Sequence, residues 1–229
     1  MLASASPRRR ELLGALGARF RVSATDAEEQ PIFPPPELLA ALPPCPLPTA
    51  THPTLLAWRK VDAACAELPA GVIIGADTVV VLDGDVLNKP ADPDHARAML
   101  RRLSGRTHTV YTGVAVFSRN RPDQPWDIQF DLGESAVTIA ELRDDEIAAY
   151  VATGEPLDKA GAYGIQGLGG RLVQQVSGSY TNVVGLPLAL VPRMLARAGV
   201  VGLLDPSEAY RRWLSAQGKE PLPCPPTFP

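Results

Sequence analysis

Cysteine is scarce in this sequence and poorly placed for cross-linking. Cys45, Cys65 and Cys224 are odd in number, widely spread and form no C-x-x-C pair. That excludes a disulfide framework and points to a reducing compartment, the cytoplasm, with inert thiols. Histidine is equally scarce: His52, His95 and His108 show no metal-ligand spacing and are expected at the surface or at element edges. No uninterrupted apolar run approaches the ~18 residues of a membrane-spanning helix. A signal-peptide core is also missing, because arginines arrive after seven residues. Neither charge sign dominates: 22 Lys and Arg stand against 25 Asp and Glu, a net charge of −3. No global attraction to nucleic acid or to an anionic membrane follows from that balance, so any anion site must be built locally.

What is present suits a globular chain. Its 229 residues are 45% hydrophobic and 21% charged, enough to bury a proper core. The 24 prolines are uneven, with more than half in residues 30–53 and 219–229. Both stretches are expected to be extended or poorly ordered, an internal loop and a tail without chemistry. The main domain is expected over residues 1–200, with a C-terminal helix and proline-rich tail over 201–229.

Strands and helices interleave along the chain. Ser6 reads as the N-cap and Pro7 as the first residue of a helix with Leu12, Leu13 and Leu16 on its apolar face, ended by Gly17. "PTLLAWRKVDAACAEL" has helical spacing and carries Lys60. "GVIIGADTVVVLDGDVLNKP" is a strand followed by the hairpin signal Asp83-Gly84. A helix capped by Asp92 and begun by Pro93 follows, then two strands, "RTHTVYTGVAVF" and "WDIQFDLGESAVTIA", read as an antiparallel pair. Beyond them come the helix "RDDEIAAYVATGEP", the strand "RLVQQVSG", a helix from about Pro187 that Pro192 should kink or delay, and a last helix, "DPSEAYRRWLSAQG". The class is α/β with a mixed sheet.

Four stretches could carry chemistry. In "SASPRRR", three arginines occupy the positive end of a helix, where each is disfavoured by roughly a few tenths of a kcal/mol. Two serine hydroxyls, unpaired N–H groups and guanidinium forks would suit an anion there; a solvated basic face is the plain alternative. In "VIIGADTVVVLDG", Asp77 interrupts an apolar strand on the face of Ile73, Val79 and Val81. Burying it unpaired would cost roughly several kcal/mol, so it is either a strand-end cap or a carboxylate at a cleft rim. "LNKP" offers Lys89 beside a turn. "LDKAGAYGIQGLGG" packs five glycines between Gly161 and Gly170, interleaved with Asp158, Lys159 and Gln166. It contains neither G-x-G-x-x-G nor a Gly-Lys-Ser/Thr run, and reads as a flexible turn or as the backbone of a base or phosphate pocket.

Taken in order, "LASASPRRRELL", "DAEEQ", "GADTVV", "NKPAD", "LSGRTHTVYTGVAV", "GEPLDKAGAYGIQGLGG" and "VSGSYTNVVGLPL" resemble the Maf (septum-formation inhibitor) family of nucleoside triphosphate pyrophosphatases. The resemblance implies an elongated mixed sheet flanked by helices, like that of inosine triphosphate pyrophosphatases. Two lobes would surround a central cleft, the family domain would span residues 1–200, and the protein would be a homodimer. It implies hydrolysis of a nucleoside triphosphate to the monophosphate and pyrophosphate with a divalent cation, Mg or Mn. On that reading Ser4, Ser6, Arg8, Arg9, Lys60 and Lys89 hold phosphate oxygens, and Asp77 deprotonates the attacking water. Glu29 and Asp77 bind the metal. Arg8, Thr78 and Gln166 match the positions marking the branch that acts on dTTP and UTP, and a carboxamide offers the donor and acceptor that a uracil or thymine edge requires. The remaining alternatives are a preference for 7-methyl-GTP or a modified nucleotide, and a non-catalytic nucleotide-binding regulator of cell division. The segment between Glu29 and Lys60 is longer and richer in proline than the family pattern.

Overall fold

The computed structural model describes residues 1–24, 27, 32 and 34–218. In chain order the strands are β1 (Leu2–Ala3), β2 (Val22–Ser23), β3 (Gly71–Leu82), β4 (Asp85–Val86), β5 (Thr107–Arg119), β6 (Asp127–Ile139) and β7 (Val173–Gly178). The helices are α1 (Pro7–Ala15), α2 (Pro36–Ala40), α3 (Pro53–Ala64), α4 (Pro93–Leu103), α5 (Asp144–Ala152), α6 (Tyr180–Val184), α7 (Val191–Arg197) and α8 (Pro206–Ala216). The strands make one mixed seven-stranded sheet in the order β2-β1-β3-β5-β6-β7, with β4 paired to β3. The α/β reading with a mixed sheet flanked by helices therefore holds.

β3 and β5 are central because both of their faces are apolar, the pattern of a strand covered on either side. One face carries Ile74, Ala76, Val80, Val110, Val114 and Val116, packed with residues of α1, α4, α5, α7 and α8. The other carries Ile73, Ala115 and Phe117 under Leu55, Trp58 and Val61 of α3. α3 lies directly on the sheet because two facing positions are glycine. A Cβ on Gly113 would stand 2.1 Å from the Thr54 nitrogen, and one on Gly75 would stand 2.9 Å from the Ala57 carbonyl oxygen.

Local signals formed as expected. Ser6 caps α1 by accepting from the Arg9 amide, and Asp92 caps α4 by accepting from the His95 amide. Asp83 and Gly84 both have positive φ, 54° and 85°, as the tight β3–β4 hairpin requires. Pro192 falls in the first turn of α7, so it delays the helix to Val191 instead of kinking it.

Two expectations need correction. The proline-rich stretch is not simply extended: Pro36–Ala40 is helical and Thr49–Thr51 forms a 3-10 turn. Proline pre-sets φ for a first helical turn, and here it starts short helices. His52 and His108 do sit at element edges, as the cap of α3 and the second residue of β5, but they are buried, only 5% and 2% exposed. His52 Nδ1 accepts from the Thr54 amide and caps α3, while its Nε2–H donates to the Pro43 carbonyl at 2.9 Å. Burial pushes both described thiols up, Cys65 to about 11, which disfavours the thiolate.

Candidate active site

A break in the pairing of β3 creates the site. β1 runs parallel to β3 only as far as the Ala3–Gly75 pair, and β4 joins the same edge at Val81. Among the described residues, no strand covers that edge from Ala76 to Val79. Asp77 and Thr78 project to opposite faces of the sheet, yet at this uncovered edge both line one cleft of about 770 Å³. The chain leaving β1 supplies the next wall, with Ser4, Ser6, Arg8 and Arg9. Lys60 from α3, Lys89 after the hairpin and Gln166 from the glycine-rich loop complete the predicted set. Thus every substrate-binding or catalytic residue named from sequence lies in this cleft. Glu29, the expected metal ligand, falls outside the described residues.

On the α3 side, Lys60 Nζ donates to Asp77 Oδ1 at 2.7 Å. On the other side, Arg9 is buried and held by the protein. Its Nε donates to the Gly185 carbonyl at 2.8 Å, one terminal nitrogen to Ser4 Oγ at 3.3 Å and the other to Thr78 Oγ1 at 3.1 Å. Thr78 Oγ1 in turn shares a 2.9 Å hydrogen bond with Thr112 Oγ1, which donates to the Asn182 carbonyl. Arg8 is half-buried and Lys89 exposed, and neither forms a salt bridge among the described residues. Arg10 is exposed and outside the cleft. Near the glycine-rich wall, Asp158 pairs with Lys159. Burial opposes ionisation of Asp158, but Lys159 and Arg8 together hold its carboxyl below the usual range.

The glycine-rich loop is clamped by three tyrosines. Tyr150 Oη donates to Glu155 Oε1 at 2.9 Å and accepts from the Gly164 amide at 3.1 Å. Tyr163 Oη and His108 Nε2 share a 2.8 Å hydrogen bond. Tyr180 Oη donates to the Ile165 carbonyl at 3.1 Å. Glu155 also accepts from the Leu168 and Gly169 amides. Burial pushes the Glu155 carboxyl upward, and these hydrogen bonds outweigh it and hold the group low. The loop is therefore a fixed wall and not the flexible turn that its glycines alone allow. Burial also lowers His108 to about 4 and raises Tyr180 to about 12, so imidazole and phenol are both neutral near pH 7.

The donor set bears on a metal. Among the described residues, no group of three or more His, Cys, Asp or Glu side chains is arranged to hold an ion. Asp77 keeps its second carboxylate oxygen clear of hydrogen bonds from the described residues. A Mg²⁺-like ion typically takes one or two carboxylates and completes its shell with water and substrate phosphates. The residues present fit an ion that arrives with a phosphorylated ligand.

A family model described as "Maf-like protein" matches residues 1–198. The chain belongs to the Maf family. Among curated relatives of this Maf chain, a dTTP/UTP pyrophosphatase of Moorella thermoacetica is 50% identical over 200 residues, covering 87% of this chain and 95% of that protein. Proteins of the same name from Pelotomaculum thermopropionicum and Geobacter sulfurreducens are each 45% identical. They cover 87% and 88% of this chain and 96% and 97% of their own lengths.

Sequence reasoning missed several cleft residues of this Maf chain. Tyr163, Glu155 and Gln217 line the cleft, and Tyr150, Tyr180, Thr112 and His108 stand behind it. Tyr163 lies inside the quoted "GAYGIQG", so proximity was an available signal. His108, Tyr150, Tyr180 and Gln217 come from four separate elements and carry no local one.

Proposed function

We propose that the chain hydrolyses dTTP and UTP to the nucleoside monophosphate and pyrophosphate, removing excess or non-standard pyrimidine nucleotides. The observation that carries this reading is the convergence on one cleft of Asp77, the cations Arg8, Lys60 and Lys89, and the carboxamide of Gln166. The names of the relatives agree with it.

A triphosphate carries about four negative charges, so positioning and charge neutralisation dominate such a reaction. Arg8 and Lys89 contact phosphate oxygens, helped by Ser4, Ser6 and the amides at the start of α1. Lys60 orients Asp77. Arg9 holds Ser4 and Thr78 in place while facing the same cleft. Asp77 accepts a proton from the water that attacks the α-phosphorus. The bond between that phosphorus and the bridging oxygen breaks, and pyrophosphate leaves with the electron pair. Asp77 with Glu29 would hold a divalent cation, Mg or Mn, which would supply charge neutralisation on the phosphates. Gln166 faces the base.

The family resemblance also supports a homodimer, and a cytoplasmic location agrees with the sparse cysteines. No helix among the described residues is long and apolar enough to cross a membrane. The deciding experiment incubates the protein with Mg²⁺ and dTTP, UTP, CTP or 7-methyl-GTP and identifies the products. Monophosphate and pyrophosphate from dTTP and UTP are expected. Diphosphate and orthophosphate would overturn the chemistry, and faster turnover of 7-methyl-GTP would overturn the base assignment.

A further inference from the structure

Helix α8 begins beyond residue 198, where the family match ends, yet Gln217, the residue that caps its C-terminus, reaches the cleft. Gln217 lines the cavity, and its Oε1 accepts from Gln166 Nε2 at 3.3 Å. Its own Nε2 is buried without a hydrogen-bond partner among the described residues. A buried amide donor left unpaired is costly.

α8 is held so that Gln217 has little freedom. Trp213 and Leu214 are buried in the main core, and the Leu204 amide donates to the Leu16 carbonyl at the end of α1. Tyr210 and Trp213 stack on each other at 6.1 Å, and each ring lies 6.2 Å from Tyr180. Tyr180 donates to the carbonyl of Ile165, the residue before Gln166. The same helix thus braces the backbone of Gln166 through Tyr180 and touches its side chain through Gln217.

We propose that Gln217 is a specificity-determining positioning residue, which sets the orientation of the Gln166 carboxamide toward the nucleobase. This rests on the reading above, that Gln166 faces the base. A glutamine amide presents a donor at one end and an acceptor at the other, and rotation about its terminal bond exchanges them. Uracil and thymine offer N3–H between two carbonyls, whereas cytosine offers a bare N3 beside an amino group, the complementary pattern. A carboxamide locked in one orientation distinguishes them; one that rotates accepts both. With its Oε1 toward Gln166, Gln217 draws the Nε2 end of that carboxamide toward itself.

The test compares kcat/KM for dTTP, UTP and dCTP in Gln217→Met, Gln217→Glu, Gln166→Ala and the double variant Gln166→Ala/Gln217→Met, with melting temperature recorded for each. Gln217→Met keeps the length and removes the acceptor. It should reduce the preference for dTTP over dCTP about fivefold, the scale of one lost hydrogen bond, with the change carried by KM. Gln217→Glu keeps an acceptor oxygen and should restore the preference. In the Gln166→Ala background the methionine should change nothing further. If Gln217→Met lowers all substrates equally, or leaves the ratio intact while Gln166→Ala alters it, Gln217 has no part in specificity. If Gln166→Ala itself leaves the ratio unchanged, the base-reading role of Gln166 fails instead, and this proposal with it.

Discussion

Lys60 on α3 donates to Asp77 on β3 at 2.7 Å, and the two side chains are 6% and 15% exposed. Each explains the other. A carboxylate in the middle of an apolar strand and a lysine on the buried face of a helix would each be costly alone. Together they form an ion pair on the cleft wall, through one of the two Asp77 oxygens. The contact depends on the close seating of α3, and that seating depends on Gly75 and Gly113.

Asp77→Asn is expected to lower turnover by roughly 10²–10⁴-fold, the usual contribution of a general base, and to leave nucleotide binding largely intact. The amide oxygen still accepts from Lys60, so the fold should persist. Pyrophosphate release and calorimetric binding check the two halves separately; activity within tenfold of the parent removes Asp77 from the base role.

The arginines separate by position. Arg8→Ala should raise KM for dTTP by about tenfold or more, as expected for a lost charge-assisted phosphate contact. Arg10→Ala, on the exposed side of α1, should stay within about twofold, since exposed charges contribute little. Equal effects from the two variants would return the first turn of α1 to a generic basic surface.

Gly113→Ala should destabilise the protein by about 3 kcal/mol, the upper range for overpacking, because its Cβ meets Thr54 backbone at 2.1 Å. Turnover should fall with it as α3 and Lys60 are displaced. Gly14→Ala is the contrasting case: it lies within α1 with nothing within 4 Å of the added carbon, and should stabilise by about 0.5–1 kcal/mol. Urea midpoints measure both.

His108 makes stability depend on pH. Burial holds its imidazole at about 4 in the folded state, against an ordinary value of 6.5. The unfolded chain therefore binds the extra proton first as pH falls. The stabilisation is complete above pH 6.5 and is lost progressively down to about pH 4, to a total on the order of 3 kcal/mol. His108→Gln should flatten this part of the urea-midpoint profile between pH 7.5 and 4.5. An unchanged profile assigns the acid sensitivity to other groups.

The features legible in the sequence are the ones encoded by neighbours. Ser6-Pro7 and Asp92-Pro93 announce helix starts, Asp83-Gly84 announces a hairpin, and the apolar runs of β3 and β5 announce strands. Part of the cleft was legible too, through motifs whose residues share one chemistry, but Glu155, Tyr163 and Gln217 were not. Short elements escaped: α6, at five residues, is too brief to show a helical period, and the prolines hid α2.

Local sequence set the longer elements and the chemical types that would meet: a carboxylate, several cations and a carboxamide. Tertiary structure alone decided their partners. Arg9 hydrogen-bonds across 69 positions to Thr78 and across 176 to Gly185, and three tyrosines, from α5, α6 and the glycine-rich loop itself, stiffen a loop that its own composition leaves free. The physical reason is that caps and turns are short-range backbone preferences, readable from adjacent residues. Which buried polar groups satisfy one another depends on how closely helices pack on the sheet, and at Gly75 and Gly113 that closeness is set by the absence of a side chain.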